Sequence, residues 1–415
     1  MIYFRIPIHV SRTRFGNRRN FVANPNKPLI LSILFSVLIA CNNGLPGSSN
    51  SSSPKIHFDQ KTRSFHVYAG ENIQNTLDAA AKDRVHKTVK VHAGTYRPQS
   101  PGEALIWLNR EHDGITLEAE GTVILTAANP DIADPTEKSY PAVVNHVVYF
   151  GDGISSKTIF RGFKITGANN YIIGSPGPSP IEPGLSIKER LFFYADGGGI
   201  KIFGRSYPTI ENIEVYNNYT GICGAGISVE HRGGLTDQSV HLKNCIIRNN
   251  RTGVTGSAVD LLWGSSATIE NCLFTGNVSN TGVDYNRPVT GHFLYKEKHG
   301  SGALTVFPRS RVVVVGSTFT DNFNGVDDEG PGSAYRGNIF WNNNRTGGLA
   351  PGDRYELDLA DGKGVTGNFI HGNINDLQDV INPAENRLDP PDPLFDDAYM
   401  PHSKEYSEVG YRPKN

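Results

Sequence analysis

Thr209-Ile-Glu-Asn-Ile-Glu-Val-Tyr-Asn-Asn218 returns as His241-Leu-Lys-Asn-Cys-Ile-Ile-Arg-Asn-Asn250 and again as Thr268-Ile-Glu-Asn-Cys-Leu-Phe-Thr-Gly-Asn277. Each copy follows a small-residue turn and a short apolar run: Gly198-Gly-Gly-Ile-Lys-Ile, Gly224-Ala-Gly-Ile-Ser-Val and Gly256-Ser-Ala-Val-Asp-Leu. The closing asparagines are spaced by 32 and then 27 residues, and self-similarity at such a period marks a solenoid. Looser copies continue at Phe319-Thr-Asp-Asn322, Phe340-Trp-Asn-Asn343 and Ile370-His-Gly-Asn373, with an earlier one at Phe160-Arg-Gly-Phe-Lys-Ile165.

The period inside each copy selects the solenoid. Ile269, Cys272 and Phe274 read as inward, Glu270 and Leu273 as outward, with Asn271 and Asn277 at bends. That is strand alternation broken by corners, not a 3.6-residue helical period. Stacking the copies predicts two inward columns, Phe160/Ile210/Leu242/Ile269/Val314/Val365 and Ile165/Val215/Ile247/Phe274/Phe319/Phe340/Ile370. Each side chain then buries its face on the coil above. Asn212, Asn244 and Asn271 are expected to stack at one bend, bonding along the axis and satisfying turn backbone that lies inside. Leucine-rich repeats also put Asn at bends, but their leucine framework is missing. The fold class read from this pattern is all-β, a parallel β-helix.

The chain has 415 residues, 45 of them Gly, and a formal charge of −1. Residues 1–40 hold six basic residues and no acids, which leaves the remainder at a net of about −7 and argues against nucleic acid as a partner. An apolar run, Leu29–Ala40, follows the basic stretch; twelve residues are too few for a comfortable membrane span and read as a signal-peptide core. Leu38-Ile-Ala-Cys41 resembles the bacterial lipobox, which implies lipidation of Cys41 and attachment to the membrane through that lipid. Asn42 after the Cys favours the outer membrane of the bacterial cell envelope. The expected organisation is a signal peptide at 1–40, a flexible polar tether at 41–54, the β-helix at 55–395 and a C-terminal tail or cap at 396–415.

Glu71–Lys82 reads as an amphipathic helix with Ile73, Leu77, Ala80 and Ala81 on one face, the expected cover for the solenoid's open N-terminal end. Ile73-Gln-x-x-Leu77-x-x-Ala80, then a strand and Gly94-Thr-Tyr96, together with the Gly-Gly-Ile and Ile-x-Asn-Cys repeats, resembles right-handed parallel β-helix proteins of the pectate-lyase-like superfamily. The resemblance spans roughly Val67–Asn375 and implies a right-handed coil; Asp392-Pro-Leu-Phe395 resembles the closing segment of such proteins. It carries over no catalytic residue.

Three insertions interrupt the repeat, Tyr171–Asp196, Val278–Gly300 and Phe323–Gly332. All lie between a closing Asn and the next Gly-rich start, so they should leave from one side and build a binding face. They border outward residues Lys201/Ser228/Asp260/Thr305 and Phe203/Glu230/Leu262/Phe307. With coils about 4.8 Å apart, Lys201, Glu230 and Asp260 are candidate catalytic residues in a groove whose substrate contacts would be Trp263, Phe307, Lys296, His299 and Arg309. Carboxylates beside Lys and exposed aromatics suit a sugar, although a solvated sheet with alternating charges has the same composition. Asp327, Asp328 and Glu329 read as an acidic loop able to hold Ca²⁺. A lyase would use that ion and a Lys or Arg base, a hydrolase two of the carboxylates. Cys245 and Cys272 share one inward position, where a reduced stack is expected over a disulfide, and the lack of paired His ligands argues against zinc. Two functions stay open: a surface-tethered enzyme or binding protein acting on polysaccharide in the groove, by β-elimination or hydrolysis, or a non-enzymatic adhesin or binding lipoprotein.

Overall fold

The computed structural model describes residues 55–100, 102–129, 142–170, 179, 181, 184–186, 193–281, 302–343, 354–360, 364–376 and 381–413. The leader, the tether and Cys41 lie outside these residues. Among the described residues no helix is long and apolar enough to cross a membrane.

The described residues from Lys55 on form a right-handed parallel β-helix. Among the described residues the strands form one sheet of eighteen (sheet A), one of nine (sheet B) and one of three (sheet C). In sheet A a typical coil supplies two strands, such as Thr209–Glu211 and Glu214–Tyr216, and each pairs in parallel with its counterparts on neighbouring coils. Both predicted inward columns are present in register. Ile210 lies between Phe160 and Leu242, and Phe319 between Phe274 and Phe340. The first column also takes in Tyr335, between Val314 and Val365. These side chains are buried, and Phe274 and Phe319 stack with centroids 4.2 Å apart.

Two kinds of bend fold each coil, and each uses its asparagines differently. Asn212, Asn244 and Asn271 adopt φ of 54°, 53° and 51°, the left-handed conformation that Asn tolerates. Their amides do bond along the axis, Asn244 Nδ2 to Asn212 Oδ1 at 3.2 Å and Asn271 Nδ2 to Asn244 Oδ1 at 2.9 Å. They face outward, however, so the expectation that they satisfy interior backbone is corrected. That work falls to the closing residues Asn218, Asn250, Asn277, Asn322 and Asn343, all essentially inaccessible. In the Asn-Asn pairs the first residue (Asn217, Asn249) supplies the left-handed turn and the second points inside. From Asn250 on, each interior Oδ1 accepts from the amide N–H and side chain of the preceding rung, as in Asn250 to Asn277 at 3.1 Å for both, while Asn218 Oδ1 accepts from Ala168 N. Glu356 ends the row by accepting from Asn343 N at 2.8 Å.

A second interior row runs Cys245, Cys272, Ser317, Asn338, Asn368 and Asn386. Cys245 N donates to Cys272 Sγ at 3.4 Å, and these two cysteines are free thiols, stacked as expected. The helix Ile73–Lys82 is capped by Asn72, whose side chain accepts from Asn75 N, and it buries Ile73, Leu77 and Ala80 over the first coils.

The C-terminal segment adds a last short rung, Arg387–Leu388 pairing in parallel with Phe369–Ile370, and then runs back along the outside of sheet A, where Tyr406 and Val409 pack on Ile339. Arg412 N donates to Asn271 Oδ1 at 2.7 Å, ending the outer asparagine row. Much of the rest of sheet A's outer face is a chain of paired charges, for example Lys164–Glu214 at 2.8 Å and Arg161–Glu211 at 3.5 Å. Such exposed pairs contribute little individually.

Candidate functional site

Sheet B brings the candidate catalytic residues together. Its register sets Tyr149, Lys201, Ser228, Asp260, Thr305, Asp327 and Asp358 in one outward column, a rung apiece. Glycines make the column possible. Gly224 and Gly256, at φ of 60° and 64°, carry the chain back over it so closely that a Cβ on either would lie 2.5 Å from Asp260 atoms.

The Lys201 ammonium donates to Glu230 Oε2 at 3.0 Å and to Ser228 Oγ at 3.3 Å, and Arg232 holds the other Glu230 oxygen at 3.1 Å. Asp196, from the turn before Gly197, accepts from Cys223 N at 3.0 Å and belongs to the same group. Sequence reasoning missed it as a site residue, yet it occupies the position before the turn glycine that Cys223 and Thr255 fill in the next two coils. Neither Asp260 oxygen has a well-formed hydrogen bond, Ser228 being the donor that steadies it.

This group is not an open groove. Lys201 and Asp260 are fully buried, beneath a cluster that includes Phe193, Ile222 and Cys223. Burial pushes the Asp260 carboxyl up to about 7 against the pull of Lys201, and pushes Asp196 well above the usual carboxylate range. Burial works against the Lys201 charge too, but Glu230, Asp196 and Asp260 outweigh it and raise its pKa. The cluster pairs the Lys201 ammonium with Glu230 beside two acids, Asp196 and Asp260, whose pKa is raised. Asp196, Cys223 and Asp260 bring ligand atoms within 4.8 Å of one another. Lys201 already supplies the positive charge there.

The acidic triplet is corrected. Val326–Asp328 is a strand of sheet B, not part of a loop, because it pairs with Leu304–Val306 and Leu357–Leu359. Alternation then separates the side chains. Asp327 joins the outward column and accepts from Tyr355 OH at 3.2 Å, while Asp328 turns inward to Tyr335 OH at 2.7 Å. Glu329 is exposed. The three side chains point in different directions and do not form one Ca²⁺ site.

Of the substrate contacts, Lys296 and His299 lie outside the described residues, as do most of the first two insertions. Phe307 packs against the apolar cover over the cluster. Trp263, by contrast, is 58% exposed, with the Arg309 guanidinium 6.0 Å from its ring centroid. Arg309 itself sits at φ 67°, unusual for a residue with a side chain. Elsewhere, a cavity of about 170 Å³ opens at the end of the asparagine row beside Glu356 and His371.

A family model described as a right handed beta helix region matches residues 145–290, the stretch holding most of this cluster and the clearest repeats. No curated protein matches the chain.

Proposed function

We propose that the protein is a glycan-binding β-helix of the bacterial cell envelope, which holds polysaccharide at the rim of sheet B where Trp263 and Arg309 meet. The exposed indole with a guanidinium beside it carries this reading. A sugar's C–H face stacks on such a ring, and the cation takes a uronate or another acidic substituent. The left-handed Arg309 supports it, since strained backbone concentrates where a side chain must be aimed. The resemblance to the pectate-lyase-like superfamily points the same way. Trp263→Ala should weaken binding to an acidic polysaccharide at least tenfold in affinity electrophoresis, with the unfolding midpoint unchanged. Unaltered binding would refute the assignment.

Cleavage is the second reading, favoured by Asp260 at about 7 beside the Lys201–Glu230 pair, the matched acid and base that polysaccharide chemistry needs. Burial of the cluster places binding first. Incubation with uronate polysaccharides, with and without Ca²⁺, separates the two: unsaturated or reducing ends made by the wild type and not by Asp260→Asn would establish cleavage.

Attachment through a lipid on Cys41 completes the proposal, resting on the leader and Leu38-Ile-Ala-Cys41. Cys41→Ser should move the protein from the membrane fraction to the soluble one; continued membrane association would count against the lipid.

A further inference from the structure

We propose a divalent transition-metal site, of the kind that takes Zn²⁺, on the first coils, formed by His66 and His92 with Glu120 orienting the second ring. The three residues lie on successive strands of sheet A: Ser64–Val67, Thr88–Tyr96 and Thr116–Thr126. His92 is directly opposite Glu120, and His66 is opposite Lys90, one diagonal from His92. Ligand atoms of all three residues lie within 4.8 Å of one another.

The convergence of the two rings carries the inference, and the hydrogen bonds behind His66 support it. Thr62 Oγ1 donates to Asp59 at 2.9 Å, so the 2.8 Å contact between Thr62 and Ser64 takes its proton from Ser64. Ser64 Oγ is then an acceptor for His66 Nε2 at 3.1 Å, which puts the His66 proton on Nε2. On the other ring, His92 Nδ1 faces Glu120 Oε2 at 3.4 Å. His66 Nδ1 then presents a lone pair to His92 Nε2 at 2.8 Å, and the space between the two rings takes one positive centre, a proton or a metal ion.

A metal ion meets this need with two imidazole ligands at about 2.0–2.1 Å each, for which the rings part by roughly half an ångström. The surroundings are those of a ligand pair. Glu120, 3.4 Å from the far nitrogen of His92, is placed for the carboxylate–histidine arrangement that orients metal-bound rings. Lys90 keeps that carboxylate ionised through a 2.5 Å contact with its other oxygen. Tyr68 stacks on His92 at 4.4 Å with parallel planes, fixing the ring's tilt. His92 and Glu120 are 29% and 36% exposed, which leaves room for water to complete the coordination. Imidazole suits Zn²⁺, Ni²⁺ and Cu²⁺ over Ca²⁺ or Mg²⁺.

Titration of the metal-free full-length chain with Zn²⁺ in a calorimeter tests the site. One ion per chain is expected for the wild type, abolished in His66→Ala/His92→Ala and weakened 10- to 100-fold in Glu120→Gln. Thermal unfolding in chelator confirms that each variant folds. Loss of uptake in the double variant alone would leave Glu120 without its orienting role. Equal Zn²⁺ uptake by the double variant, or none by the wild type, would overturn the site and assign the contact to a shared proton.

Discussion

Asn277→Ala should destabilise the protein by about 4 kcal/mol, measured as the loss of unfolding free energy in urea. The Asn277 side chain makes four hydrogen bonds in the interior. Its Oδ1 accepts from Asn250 N and Nδ2, while its Nδ2 donates to Ile247 O at 2.8 Å and to Asn322 Oδ1 at 2.9 Å. Asn250 Nδ2 keeps a second acceptor in Val215 O, and Asn322 Oδ1 keeps a second donor in Asn277 N. The Asn250 amide and the Ile247 carbonyl keep none of these contacts. A buried polar group stripped of its partner costs about 1–3 kcal/mol, so two of them outweigh the whole contribution of a typical surface contact. Asn212→Gly supplies the contrast. That residue faces solvent, its φ of 54° suits glycine, and the change should stay within about 1 kcal/mol. Equal effects from the two substitutions would mean that the interior row does not hold the coils together.

Lys201→Met should cost about 3–5 kcal/mol at pH 8 and distinctly less at pH 5. The substitution removes the cation from a buried set containing Glu230, Asp260 and Asp196, and an uncompensated buried charge costs that much. The sign of the pH effect follows from the raised carboxyls. In the wild type Asp260 keeps its proton up to about pH 7 while the unfolded chain releases it near 4. The folded state therefore binds more protons between those values, and this group's contribution to stability falls as pH rises through that window, then levels off. Without Lys201 the carboxyls hold their protons to still higher pH, so acid relieves the variant more than the wild type. Urea midpoints for both proteins from pH 5 to 8 should diverge as pH increases. Parallel curves would show that Lys201 does not compensate these acids.

The repeat was legible because it is local. Alternation sends Ile210 and Val215 inward whatever lies around them, and the same parity puts Lys201 and Asp260 on one outward face. Register then followed from stacking equal patterns, so both inward columns were readable, apart from Tyr335, whose coil lacks the repeat's wording. The asparagines were harder. In Asn217-Asn218 both residues have the same chemistry, and only the backbone turn at the first aims the second inside.

The amino-acid sequence by itself determined the coil: strand period, bends, inward columns, the covering helix and the outward placement of Lys201, Glu230 and Asp260. Tertiary structure alone decided what lies over that outward face, and so turned an expected groove into a sealed ion cluster with Asp196 as a member. It alone made Val326–Asp328 a strand, laid the C-terminal segment against Ile339, and brought His66 to within 2.8 Å of a histidine 26 residues away. The physical reason is range. Which way a side chain leaves a strand is set by its own backbone, whereas its neighbours are set by coils stacked about 4.8 Å apart and by segments crossing them, which no short window of sequence contains.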